Sequence, residues 1–85
     1  MNDFMFGFWA DQLNTLRDQD PRLDAVLDLG SLENALRAPE TVDLYGVATV
    51  YKARLLRRQG QTGAGGVMDD VIQLVDEVLA LSSVA

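Results

Sequence analysis

Thirteen Asp and Glu side chains are the largest supply of reactive groups in this 85-residue chain, which has no His and no Cys. That inventory closes most catalytic routes. Ser–His and Cys–His nucleophile pairs are impossible, and zinc sites of the Cys/His type are excluded. General acid–base work without His needs two carboxylates in a sheltered cleft, whereas the acids here fall mostly on what read as polar helix faces. Lys52 is the only lysine, and nothing in the sequence brings a serine to it as an activated pair. Asp18-Gln-Asp20 opens like a calcium loop and then fails, with Arg22 at the fifth position, Leu23 where glycine is required and Leu29 where the bidentate glutamate belongs. The run Gly60-Gln-Thr-Gly63-Ala-Gly65-Gly66 lacks the Gly-Lys-Ser/Thr ending of a phosphate loop. Asp69 and Asp70, just beyond it, would repel phosphate. The expectation is a protein that is not an enzyme and carries no cofactor or metal.

Contact chemistry is better represented. Phe4, Phe6, Phe8 and Trp9 are four of the six aromatic residues, packed into the stretch Phe4-Met5-Phe6-Gly7-Phe8-Trp9. On a helix they point in several directions, so one core does not cover them all. Each large side chain left in water forgoes roughly 1.5–3 kcal/mol. Two readings stay open: the tip plugs an undersized core, or it docks on another chain, since interface cores favour Phe, Trp, Met and Tyr. A membrane-surface role is weaker, because Asp3 and Asp11 flank the segment without a nearby base. Arg54, Arg57 and Arg58 form the second candidate, on one side of a helix near its C-terminal end, where cations suit the dipole. Lys52 points elsewhere.

The elements that carry these residues read as helices. Met5, Trp9, Leu13 and Leu16 recur at spacings of 4, 4 and 3, one helical stripe. Asp20-Pro21 is an N-cap followed by a proline at the first helical position, and Leu23, Val26 and Leu27 give the next short face. Gly30-Ser31 either closes that helix and caps a further turn with Leu32, Ala35 and Leu36, or the helix runs through Gly30 at a cost of about 1 kcal/mol. Pro39 forces a turn at Ala38. Leu44, Ala48, Tyr51 and Leu55 follow at heptad-like spacing, although the β-branched residues around them weaken this helix. The glycines then read as a flexible loop over residues 60–66. Val67, Val71, Leu74, Val78 and Leu81 complete a seam of 4-3-4-3 spacing, with Asp69 and Asp70 in its first turn. The expected fold is all-α and a single small domain over residues 1–85: an antiparallel helical hairpin, or three to four helices with a Gly-rich loop. The seam through Val71, Leu74, Val78 and Leu81 packs either against the preceding helix or against a second copy.

Bulk properties narrow the partners. A chain this short buries only roughly 60% of its unfolded surface, and without disulfides a partner or an oligomer is the remaining support. The net charge of −6 argues against nucleic acid. Residues 52–58 hold four bases and no acid, between stretches holding nine acids with three bases and four acids with none. Pairing with those acids, within or between chains, is the simplest use of the block. No apolar run reaches the ~20 residues of a membrane span. Asp3 and Asp11 do not fit a secretory signal peptide, so the expected location is cytoplasmic, or outside the cell by a route without a cleaved signal.

Trp9 near the start, Asn34-Ala35-Leu36 running into the Pro39 turn, Tyr45, and then Tyr51 and Gln59 resemble the needle and inner-rod subunits of type III secretion systems. The likeness covers the middle third and one N-terminal aromatic. The chain departs from that family in ending Leu81-Ser-Ser-Val-Ala85 and in its glycine run. The resemblance implies a helical subunit that self-assembles into an export conduit, driven by its C-terminal helix, with the aromatic tip as a subunit contact. The functional expectation is a helical interaction or self-assembly module, a homo-oligomer, with Phe4, Phe6, Phe8, Trp9, the C-terminal seam and the three arginines as contacts. The alternative is a small acidic adaptor or antagonist that binds one different protein.

Overall fold

The computed structural model describes residues 3–62 and 66–82, and in residues 3, 4 and 62 the backbone alone. Among the described residues the chain forms five α-helices and one 3-10 turn: α1 (Asp3–Gln19), α2 (Pro21–Leu27), α3 (Leu29–Arg37), the turn Pro39–Thr41, α4 (Leu44–Thr62) and α5 (Val67–Ser82). The all-α class is as the sequence dictates. Its arrangement is an up-and-down bundle of α1, α3, α4 and α5, with α2 folded into the first connection. Each long helix packs against two neighbours, α1 on α3 and α5, and α4 on α3 and α5. Polar pairs fix the antiparallel sense. Arg17 meets Glu33 and Arg37 meets Asp11 between α1 and α3, while Lys52 meets Asp76 and Gln59 meets Asp69 between α4 and α5.

Local signals explain the boundaries. The Asp20 carboxylate accepts the Leu23 N–H at 3.3 Å and caps α2, with Pro21 at its first position. Ala38 leaves the helical region (φ −135°) ahead of Pro39 and ends α3. Asp43 caps α4, accepting the Gly46 N–H on its side chain at 3.2 Å.

Two boundaries differ from the sequence reading. The break before α3 falls at Asp28 rather than at Gly30. Asp28 adopts a left-handed conformation (φ 53°, ψ 53°) and is held from both sides: the Ser31 hydroxyl, in the first turn of α3, donates to its carboxylate at 2.7 Å, and the Tyr51 hydroxyl of α4 donates to its backbone carbonyl at 2.9 Å. Gly30 instead lies in the first turn of α3 beneath Arg17, where a Cβ would come within 3.3 Å of a guanidinium nitrogen. The second correction concerns the loop expected over residues 60–66. Gly60, Gln61 and Thr62 continue α4, because one glycine costs only about 1 kcal/mol and Gln59 braces that turn by donating to Asp69 at 2.9 Å. Residues 63–65 lie outside the described residues. Gly66, at φ 62°, makes the turn into α5.

The core runs the length of the bundle and draws on every helix. Phe6, Leu13, Leu29, Leu32, Leu36, Leu55, Val71, Leu74, Val75 and Val78 are its most enclosed large side chains. Leu44, Ala48, Tyr51 and Leu55 supply the face of α4, as their spacing implied. No charged or polar residue among those described is fully buried.

Candidate interaction surface

The residues singled out for contact divide sharply once folded. Phe6 and Trp9 are 1% and 5% exposed, their rings 5.8 Å apart and tilted by 55°. That spacing suits an edge-to-face aromatic pair. Trp9 Nε1 donates to Glu77 at 3.0 Å, tying the start of α1 to the end of α5. Phe8, on the opposite side of α1, is 54% exposed. The Phe4 side chain lies outside the described residues. Two of the four, Phe6 and Trp9, therefore fill the core, and Phe8 stands in water.

The C-terminal seam is used up inside the chain. Val71, Leu74 and Val78 are buried against α4 and α1, and Leu81 is half-buried at the rim. As a surface for a second copy this seam is withdrawn, because four helices enclose its apolar stripe from both sides. Leu81 does line an apolar notch of about 390 Å³ with Met5, Trp9, Glu77 and Ala80.

Of the basic block, Lys52 pairs with Asp76 at 2.6 Å. Arg54, Arg57 and Arg58 do gather on one side, around a groove of about 210 Å³ shared with Val26, Leu27 and Gln61. The Arg54 guanidinium lies 5.6 Å above the Tyr51 ring, within the range of a cation–π contact. Burial, followed by the charge of Asp28, pushes the Tyr51 hydroxyl above its ordinary value.

Charge elsewhere is structural. Glu33 sits between Arg17, which donates at 2.6 Å, and Arg37, which donates at 3.1 and 3.0 Å. Arg17 reaches on to Asp24 and Arg37 to Asp11, so five charges of alternating sign lace α1, α2 and α3 together. The Asp24 and Glu33 carboxylates hold the Arg17 guanidinium above its ordinary value. Nothing in this chain of charges opens into a cleft. Among the described residues no three carboxylates converge as a metal site would require, and no helix is long and apolar enough to cross a membrane.

A feature that sequence reasoning passed over lies on α4. Asp43, Val47, Val50 and Arg54 repeat the 4-3-4 spacing of the core seam Leu44, Ala48, Tyr51 and Leu55, displaced by one residue. One helix thus carries two adjacent seams, the inner one buried and the outer one facing a shallow groove. That groove has a volume of about 500 Å³ and is lined by Asp43, Gly46, Val47, Val50, Tyr51 and Arg54. Val47 is half-buried and Val50 is 48% exposed. Tyr45 and Leu56, at 50% and 45%, add apolar surface on the far side of the same helix. Two of the β-branched residues that made α4 look like a poor helix, Val47 and Val50, build this outer stripe. The repeated spacing was the available signal.

Searches of protein-family models, of curated proteins and of solved structures find no match to this chain. The likeness to secretion needle and rod subunits rests on the residues that carry it.

Proposed function

We propose that this protein is a non-enzymatic helical module that works by self-association. One observation carries the reading: Val47 and Val50 lie side by side on the outer face of α4, lining a shallow groove of about 500 Å³ with Asp43 and Arg54 at its ends. Scattered single apolar residues on a surface are ordinary, whereas apolar residues gathered along one groove mark a contact face. A subunit of a protein-export needle or rod is the sharpest form of this reading, supported by the Trp9, Asn34-Ala35-Leu36, Pro39, Tyr45, Tyr51 and Gln59 resemblance, and it implies filaments. The alternative, a small acidic adaptor for one different protein, draws on the apolar notch between Met5, Trp9, Ala80 and Leu81, edged by Glu77. That notch lies between the start of α1 and the end of α5.

Sedimentation and light scattering across a concentration series, with negative-stain images of the same samples, separate these readings. The expected result is an average mass that climbs with concentration. A constant monomer mass throughout would remove self-association and leave the adaptor.

A further inference from the structure

The outer stripe of α4 has an internal symmetry. Read from its N-terminal end it runs acid, valine, valine, arginine, at Asp43, Val47, Val50 and Arg54. Reversed and laid against itself, it matches position by position. Residues whose numbers sum to 97 then face each other: Asp43 opposite Arg54 and Val47 opposite Val50. Opposite charges meet at both ends, and the two valines meet in the middle. A parallel pairing would instead set Asp43 against Asp43 and Arg54 against Arg54.

We propose that two copies of this chain pair through the stripe from Asp43 to Arg54, antiparallel, about a two-fold axis passing between Ala48 and Thr49. This deepens the self-association reading and rests on it. A two-fold interface must be self-complementary, since each contact occurs twice with the partners exchanged, and the stripe meets that demand in charge and hydropathy. The 3-4 spacing is that of helices crossing at a shallow angle, which keeps a seam of this length in contact. The eleven residue steps from Asp43 to Arg54 span about 16 Å along the axis, so the two charge pairs sit at opposite ends of the seam. Arg54 is held near its position by the Tyr51 ring below it. Asp43 is held by its cap on Gly46. Glycine at position 46 leaves that cap its room, for a Cβ there would lie 2.6 Å from the Asp43 carboxylate. The contact is one helix wide, so association is weak and the concentration series must reach roughly 1 mM.

The test combines sizing with a distance. Val50→Asp and Arg54→Glu should each move the association midpoint at least tenfold towards higher concentration, and Asp43→Asn, which keeps the cap, should move it in the same direction. Val26→Asp, equally exposed but off the stripe, should leave it unchanged. Circular dichroism melts confirm that each variant is folded before it is scored. The chain has no Cys, so a single spin label at Gln61→Cys reports the geometry by dipolar spectroscopy. Antiparallel pairing in this register sets the two labels about 40 Å apart, whereas a parallel pair brings them within ~20 Å. Association that ignores Val50→Asp and Arg54→Glu, a short label distance, or open filaments would each overturn the two-fold stripe while leaving self-association standing. A wild-type monomer at every concentration would overturn both.

Discussion

Tyr51 joins three parts of this molecule. Its ring closes the core face of α4, its hydroxyl donates to the Asp28 carbonyl at the α2–α3 break, and its outer edge supports Arg54. The hydroxyl is raised above its ordinary value by burial first and by Asp28 second. The consequence for stability has a definite sign. Above pH about 10 the unfolded chain gives up this proton while the folded chain keeps it, so stability falls as pH rises towards the folded-state value. Tyr51→Phe should therefore flatten the alkaline limb of a stability–pH curve followed by urea denaturation. It should also lower stability at neutral pH by about 1 kcal/mol for the lost hydrogen bond. An alkaline limb as steep in Tyr51→Phe as in wild type would place the titrating group elsewhere. Phe6 and Phe8 show the same dependence on position: two identical residues two places apart, one enclosed and one in water, because a 100° step per residue sends them to different faces.

At the scale of elements, the glycines make the contrast. Gly60 sits inside α4 at an ordinary helical angle with nothing within 4 Å of a Cβ added there. Gly66 lies at φ 62°, equally open but in the left-handed region. Gly60→Ala should thus stabilise the protein by about 0.5–1 kcal/mol. Gly66→Ala should destabilise it by about 1–2 kcal/mol. Chemical denaturation of both variants checks the pair, and the same sign for both would contradict the assigned ends of α4 and α5. The α1–α3 pair shows a different device. Its apolar contacts are flanked by the ladder from Asp24 through Arg17, Glu33 and Arg37 to Asp11. The inner members of that ladder, Arg17 and Glu33, are sheltered, with side chains 27% and 12% exposed. Its outer half is solvated and contributes little to stability. The ladder's worth is in register: the 2.6 Å contact to Glu33 fixes how α3 slides along α1, and with it where Asp28 meets Tyr51.

At the scale of the whole molecule, four long helices give each apolar stripe two neighbours, and this decides which residues remain for a partner. Leu74 stands at the middle of the bundle, 2% exposed. Leu74→Asp should abolish cooperative folding, since an unpaired carboxylate placed there costs more than the roughly 5–10 kcal/mol a chain of this size has in reserve. A cooperative thermal melt for Leu74→Asp near the wild-type midpoint would mean that the core has been placed wrongly. Val50→Asp, at the exposed middle of the outer stripe of α4, should leave folding within about 0.5 kcal/mol and act on association alone. On α4 the inner seam is buried, and a second seam, one residue out of phase, reaches the surface.

The sequence by itself determined the helices, the turn at Pro39, the cap at Asp20 and the all-α class, because each follows from spacing or from backbone chemistry within a few residues. The 4-3-4-3 seam of α5 and the inner seam of α4 were equally plain in the spacing of Val, Leu and Tyr. Only the tertiary structure decided that these seams face each other rather than a second copy, that Asp28 and not Gly30 breaks the chain, and that Gly60 stays helical. Each of those outcomes depends on a partner distant in sequence: α4 for α5, Tyr51 for Asp28, Asp69 for Gln59. Periodicity states that a face is apolar; which neighbour covers it is settled only when all the helices compete for the same core.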